Sequence, residues 1–134
     1  MPRQRNTGLE LRGDLQAEVM EAVWRLGEAT VDQVRAEQPK RHRSGYTTLQ
    51  TVMNRLADRG LLTRERRGKA FVYKPTYEEH EYLARTISGH LADASPEARR
   101  AALVSLVGGL EPEELEEVAR YATMVRRARR GEAR

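Results

Sequence analysis

The sequence predicts a mainly α-helical chain that carries one small two-stranded β hairpin. Three observations lead there. Apolar residues recur at helical spacing in five stretches, from Leu15 to Leu26, Val31 to Val34, Leu49 to Leu56, Leu83 to Leu91 and Leu103 to Val125. Two short β-prone runs, Leu61 to Arg66 and Ala70 to Lys74, sit on either side of Arg67-Gly68. Charge is also unevenly spread. Residues 1–77 hold 15 Lys/Arg against 9 Asp/Glu, a net of +6, whereas residues 78–134 hold 9 against 11, a net of −2. A chain of 134 residues has room for one domain or two small ones.

Residues 1–12, with Arg3, Arg5 and Arg12, read as a flexible basic arm. Leu15, Val19, Ala22, Val23 and Leu26 mark a first amphipathic helix that Gly27 ends. Trp24 reads as a packing residue, with nucleic-acid stacking as the alternative. Thr30-Val-Asp-Gln33 has the capping-box spacing, in which Thr30 and Gln33 satisfy each other's free backbone amides, so a second helix starts there and stops before Pro39. Val31 and Val34 face inward. Lys40-Arg-His-Arg43 is a basic connector. A third helix begins near Gly45–Tyr46 and runs to Gly60, with Leu49, Val52, Met53 and Leu56 on its core face. The hairpin follows, with Gly68 suited to the positive φ of a tight turn, Phe71 and Tyr73 alternating onto one face, and Pro75 closing the strand.

This order, three helices and a hairpin, is a winged helix-turn-helix, in which the third helix enters the DNA major groove. Its opposite face carries Tyr46, Thr47, Thr48, Gln50, Thr51 and Asn54, short or uncharged where an ordinary solvated face is Glu/Lys-rich. Gln and Asn can pair bidentately with adenine, and threonine methyls pack on thymine, so Gln50, Thr51 and Asn54 are the base-reading candidates. Tyr46, Thr47 and Thr48, at the helix start where free amides attract phosphate, take mixed phosphate and base contacts. The same residues would also serve as a solvated polar face or as helix-start packing. Arg55 reaches a phosphate or packs its stem on a neighbouring helix. Arg64, Arg66, Arg67 and Lys69 decorate the wing; Arg67 and Lys69 are the phosphate-contact candidates, with Arg41 and Arg43 behind them. Simple solubility of an exposed hairpin is the alternative.

Beyond Thr76 the pattern is all-helical. Leu83, Ile87 and Leu91 line a helix of residues 78–92. Ser95-Pro96 opens another, through Leu103, Leu106 and Val107, that Gly108-Gly109 ends. Glu111-Pro112 starts a last helix, where Leu115, Val118, Ala122 and Val125 form a three-four repeat like a short coiled-coil seam. These helices have too little apolar surface for an isolated core, so the expectation is burial against a second copy, with folding back onto the winged helix as the alternative. Arg126-Arg-Ala-Arg-Arg130 resembles a nucleic-acid patch, but opposite Glu113, Glu114, Glu116 and Glu117 it also complements the helix dipole. The expected organisation is a basic arm (1–12), a winged-helix DNA-binding domain (13–77) and a three-helix dimerisation domain (78–130).

Leu15-Gln-Ala-Glu-Val-Met-Glu-Ala-Val-Trp24, Tyr46-Thr-Thr-Leu-Gln-Thr-Val-Met-Asn-Arg-Leu56, Arg59-Gly-Leu-Leu62 and Phe71-Val-Tyr-Lys-Pro75 together give the run from Gly13 to Thr76 a resemblance to the penicillinase-repressor (BlaI/MecI/CopY) family of winged-helix transcriptional repressors. The resemblance implies a homodimer on a pseudo-palindromic double-stranded DNA operator, held together by the C-terminal helices. It also implies release from DNA by a sensor-linked protease that cuts in the C-terminal domain, and with that a role in antibiotic resistance. The copper-responsive branch senses metal through C-terminal cysteines, and this chain has no cysteine. Members cleaved after β-lactam sensing carry an Asn-Phe bond in the helix corresponding to residues 99–107. Here the stretch is Ala102-Leu-Val-Ser-Leu-Val107, so the candidate cleavage region is Val104, Ser105 and Leu106.

The absence of cysteine also excludes a disulfide framework and Cys-ligated metal sites. His42, His80 and His90 are too scattered for a metal site, and Glu79-His80-Glu81 reads as a solvated helix face. No phosphate-cradling glycine loop, nucleophile elbow or H-E-x-x-H is present, so neither enzymatic activity nor a cofactor is expected. No apolar run approaches the roughly 18 residues of a membrane span, and the N-terminus lacks a signal-peptide core. A cytoplasmic repressor without membrane contact is the expectation. A winged helix used only for protein interaction is the competing class, and it would place exposed apolar anchors on the third helix. An RNA reader would want stacking aromatics there.

Overall fold

The computed structural model describes residues 9–132. The helices are α1 (Asp14–Leu26), α2 (Val31–Glu37), α3 (Tyr46–Asp58), α4 (Glu79–Asp93), α5 (Pro96–Gly108) and α6 (Pro112–Glu132), and the hairpin strands are β1 (Leu62–Arg67) and β2 (Ala70–Pro75). Two compact units divide after Asp93. The helix expected to open the C-terminal domain, α4, therefore groups with the N-terminal unit.

The core of the first unit gathers the apolar stripes of α1, α2 and α3 and the base of the hairpin. Val19, Met20, Val23, Val34, Leu49, Met53, Leu56, Leu61, Leu62 and Tyr73 are all less than 2% exposed. Two expectations about this core are corrected. Leu26, at the right helical spacing, is 41% exposed because it lies beyond the end of the packed stripe. Met20 takes a full core position that periodicity did not single out.

The capping box at the start of α2 is formed. The Gln33 backbone N–H donates to Thr30 Oγ1 at 3.2 Å, and the Thr30 N–H donates to Gln33 Oε1 at 2.9 Å. Thr30→Ala is expected to cost about 1 kcal/mol of stability. An unchanged urea midpoint would show that the box contributes nothing.

Gln38 sets the geometry of the turn between α2 and α3. It is the one buried polar side chain among the described residues. Its Nε2 donates to Glu18 Oε2 and Ser44 Oγ, each at 3.2 Å, and its Oε1 accepts the Ser44 N–H at 2.8 Å. Arg35 Nε adds a bond to the Ser44 carbonyl at 2.8 Å. The basic connector between these helices winds one 3-10 turn over Lys40–His42.

Strands β1 and β2 pair antiparallel, from Leu62 opposite Pro75 to Arg67 opposite Ala70. The turn is therefore Gly68-Lys69, one residue later than expected. Gly68 takes the positive φ of 63°, which puts glycine at the first central position, the II′ arrangement. The register is tied to the helices by Ala29, which exchanges both backbone hydrogen bonds with Tyr73, at 2.9 and 2.8 Å. Tyr73 is fully buried, whereas Phe71, two residues nearer the tip, has passed the edge of the core and is 41% exposed.

Residues 1–8 of the expected arm lie outside the described residues. Residues 9–12 are not free: Leu9 and Leu11 pack against the core, the Glu10 carbonyl accepts from Arg59, and the Leu11 N–H donates to the Tyr82 hydroxyl at 3.2 Å. Arg59 also donates to Gln16 Oε1 at 2.9 Å. Trp24 settles on packing rather than on a stacking surface. Its Nε1 donates to the Tyr77 carbonyl at 2.9 Å and its ring lies 5.4 Å from that of Tyr82. This seats α4 on the first unit.

In the second unit, α5 opens as expected: Ser95 Oγ accepts the Ala98 N–H at 3.2 Å with Pro96 in the first turn. The apolar side chains of α5 and α6 stay largely in solvent. Leu103, Val104, Leu106, Val107, Leu115, Val118, Tyr121 and Met124 are each 40% exposed or more. Among the described residues no helix is long and apolar enough to cross a membrane.

Candidate nucleic-acid interface

The periodicity of α3 turns Leu49, Met53 and Leu56 inward and leaves the first two turns of its other face open. Tyr46, Thr47, Thr48 and Thr51 are exposed and Gln50 is half-buried. Gly45 caps the helix without a side-chain bond, so no cap side chain covers the amides of the first turn. Thr51 Oγ1 donates back to the Thr47 carbonyl at 3.0 Å, which fixes its rotamer and leaves its methyl free to meet a thymine. A cleft of about 340 Å3 lies between the N-terminal ends of α2 and α3 and the wing, lined by Tyr46, Gln50, Arg66, Lys69 and Phe71 among others. Recognition-helix side chains and wing cations thus border one continuous surface.

Several cations and one amide on this surface are already engaged. Asn54 Oδ1 accepts from Arg64 Nη1 and from the Tyr73 hydroxyl, each at 2.6 Å. A bidentate adenine pair uses both ends of a carboxamide, and here only the amino end of Asn54 is open. Asn54 joins the recognition helix to both wing strands. Arg64 in turn lies over the Phe71 ring, 5.5 Å from its centroid. Arg67 bonds Glu28 at 2.5 Å and Glu65 at 2.6 Å. Hydrogen bonding to Arg67 holds the Glu28 carboxyl below its ordinary range, and the same bond raises the guanidinium. To grip a phosphate, Arg67 must exchange these carboxylates for it. Arg43 Nη2 donates to the Ala36 and Gln38 carbonyls, at 3.4 and 3.2 Å, covering the C-terminal end of α2. Lys69, at the hairpin tip, and Arg41 and Arg55 are exposed.

A prediction separates the two roles open to Asn54. Removing its side chain by Asn54→Ala strips an acceptor from a cation and a phenol, so stability is expected to fall by about 1–3 kcal/mol. Base preference is expected to stay unchanged. Preference relaxed at a single base position, measured by competition among mutated duplexes, would return Asn54 to the base readers.

The C-terminal residues singled out by sequence are placed as follows. Leu83, Ile87, Leu103, Leu106, Val107, Leu115, Val118 and Ala122 are exposed, while Leu91 and Val125 are half-buried. Val104, Ser105 and Leu106 are exposed but sit inside α5. Among the described residues no cluster of His, Asp or Glu is arranged to hold a metal ion.

A helix-turn-helix with an open polar face on its third helix, and a basic antiparallel hairpin beside that face, defines the winged-helix class of DNA-binding proteins. Within that class the chain belongs to the penicillinase repressor family, whose profile matches residues 12–123. This makes it a transcriptional repressor and not an enzyme. The transcriptional regulator BlaI of Mycobacterium tuberculosis is 34% identical over 110 residues, 81% of this chain and 80% of that protein. The penicillinase repressor of Bacillus licheniformis is 31% identical over 70 residues, 52% of this chain and 55% of that protein. Among solved structures, the monomeric form of Bacillus licheniformis BlaI in complex with the blaP half-operator aligns with a TM-score of 0.46 and 30% identity, over 55% of this chain and 90% of that one.

Proposed function

We propose that the chain represses transcription as a homodimer that reads a pseudo-palindromic operator, with residues 13–77 contacting DNA and residues 78–130 dimerising. The observation that carries this reading is the open face of Thr47, Thr48, Gln50 and Thr51 on α3, of which Gln50, with Tyr46, lines one cleft together with Arg66 and Lys69 of the wing. Short hydrogen-bonding side chains suit base edges, and wing cations suit the phosphates that flank them. A protein-docking helix would instead present apolar anchors. Dimerisation is supported by the run of solvent-exposed apolar side chains on α5 and α6. A two-fold protein matches a two-fold site.

Derepression acts on the C-terminal part, with Val104, Ser105 and Leu106 as the cleavage region. These residues are accessible but helical, and a protease needs extended chain. Cleavage therefore requires local opening of α5, which a signal can promote.

Selection of bound sequences from a random duplex pool, with purified full-length protein at physiological salt, tests the reading. A two-fold symmetric motif is the expected result. Salt-sensitive binding without a motif would reduce the protein to a non-specific binder, and no binding would favour protein interaction. On the selected site, Gln50→Ala or Thr51→Ala is expected to lose ~1–3 kcal/mol and relax base preference. Equal loss on random DNA would remove them as base readers. Lys69→Ala is expected to lower the slope of log affinity against log salt by about one unit. An unchanged slope would take Lys69 out of the phosphate contacts.

A further inference from the structure

The charges on α6 are arranged as a mirror. Four glutamates, Glu113, Glu114, Glu116 and Glu117, stand at its start, and four arginines, Arg126, Arg127, Arg129 and Arg130, near its end. Reflected about the Tyr121–Ala122 bond, each of these four glutamates falls level with an arginine, 113 with 130, 114 with 129, 116 with 127 and 117 with 126, while Glu132 at the helix end falls level with Glu111. The same reflection places Val118 on Val125, Leu115 on Ala128 and Ala119 on Met124, so apolar residues meet apolar residues. We propose that α6 pairs antiparallel with α6 of a second copy, crossing at Tyr121–Ala122, with the acidic half of each helix alongside the basic half of the other. This rests on the homodimer reading and gives it an orientation and a register.

The helix dipole accounts for the sign at each end but not for the pattern. Its influence fades within the first and last turn, whereas Glu116, Glu117, Arg126 and Arg127 stand farther in. Nor can the two blocks neutralise each other within one chain. Glu117 and Arg126 are nine positions apart, roughly 13 Å along the axis at 1.5 Å per residue. Among the described residues none of the eight makes an ion pair, and of the eight Glu114 alone makes a side-chain hydrogen bond there, accepting the Glu111 N–H at 2.9 Å. The stripe between them is unpartnered, with Leu115, Val118, Tyr121 and Met124 44–65% exposed. A parallel pairing would stack glutamate on glutamate and arginine on arginine. The antiparallel one leaves like charges at opposite ends, and the charges then select orientation while the stripe supplies burial.

The chain has no cysteine, so each introduced thiol is unique. In the full-length protein, Ala122→Cys at the crossing is expected to form an interchain disulfide on mild oxidation. Glu114→Cys alone and Arg129→Cys alone are expected not to, because each would face its own copy roughly 22 Å away along the axis. An equal mixture of those two variants is expected to cross-link. Charge provides a second measurement that needs no thiol. Reversing the four arginines to glutamate is expected to raise the dimer dissociation constant at least roughly tenfold. Mixing that variant with one whose four glutamates are lysine is expected to restore pairing. A wild-type chain that sediments as a monomer would remove the homodimer reading itself. A wild-type dimer in which Glu114→Cys cross-links to itself, or in which the mixture fails to cross-link, would overturn the antiparallel arrangement while leaving the homodimer standing.

Discussion

Replacing Tyr73 with alanine is expected to lower the unfolding free energy by about 3–5 kcal/mol, the range for deleting a buried aromatic side chain. Tyr73 is fully buried in the core cluster shared by α1, α2 and α3. Its position does three things at once. The backbone exchanges two hydrogen bonds with Ala29, the ring fills the core, and the hydroxyl donates to Asn54 on α3. Burial pushes the phenol above its ordinary pKa, against the opposing pull of Arg64 nearby, so at neutral pH it is the protonated donor this geometry needs. A group whose pKa is raised on folding stabilises the fold below its unfolded value of ~10 and loses that contribution as pH climbs through the folded one. Tyr73→Phe keeps the ring and removes only the donor, at an expected cost of about 1 kcal/mol, since Asn54 retains Arg64. Urea denaturation of both variants checks this. A loss under about 1 kcal/mol for Tyr73→Ala would mean the wing is not built into the core. Equal losses for alanine and phenylalanine would put the whole effect on the hydroxyl.

The hairpin shows what could be read from sequence and what could not. Its existence and its glycine were legible, because two β-prone runs around Arg67-Gly68 leave little else. The turn lies one residue further on because Arg67 pairs with Ala70; the seating of β2 on the helices was not legible either, since it rests on the pairing of Ala29 with Tyr73, a contact that spans 44 positions. Helix starts at Thr30 and Ser95 were legible from local chemistry alone, since a cap is made by neighbours in sequence. Polar residues were harder. Asn54, Arg67 and Gln38 are all short-range neighbours of basic or turn-like sequence and look like surface groups. Each is held by a partner distant in the chain: Tyr73 for Asn54, Glu28 for Arg67 and Glu18 for Gln38. Nothing in the local pattern separates a side chain that will meet DNA from one that staples the domain presenting it. Tyr82 carries no sequence signal for a related reason: one aromatic on an otherwise polar helix face has no periodicity, and its meaning comes from Trp24 opposite.

Placing a charge at Val118 is expected to separate dimerisation from folding. Val118 is 46% exposed in the single chain, so Val118→Asp costs the monomer little. In the proposed seam the same aspartate would be buried without a partner, and by two-fold symmetry the penalty is incurred twice. A buried unpaired charge costs about 3–5 kcal/mol, enough to dissociate a small interface. The consequence for DNA follows from linkage. In a dimer, the second half-site is met by a domain already tethered beside it, which raises avidity by roughly 10²–10⁴ without any new contact. Val118→Asp should therefore weaken full-operator binding by roughly that factor and leave half-site affinity untouched. Sedimentation velocity and parallel titration of half and full sites check both halves of the argument. A variant that still sediments as a dimer would move the seam away from Val118. A monomeric variant with full-site affinity intact would show that the two DNA-binding units act independently, and repression would then owe nothing to the C-terminal helices as a tether.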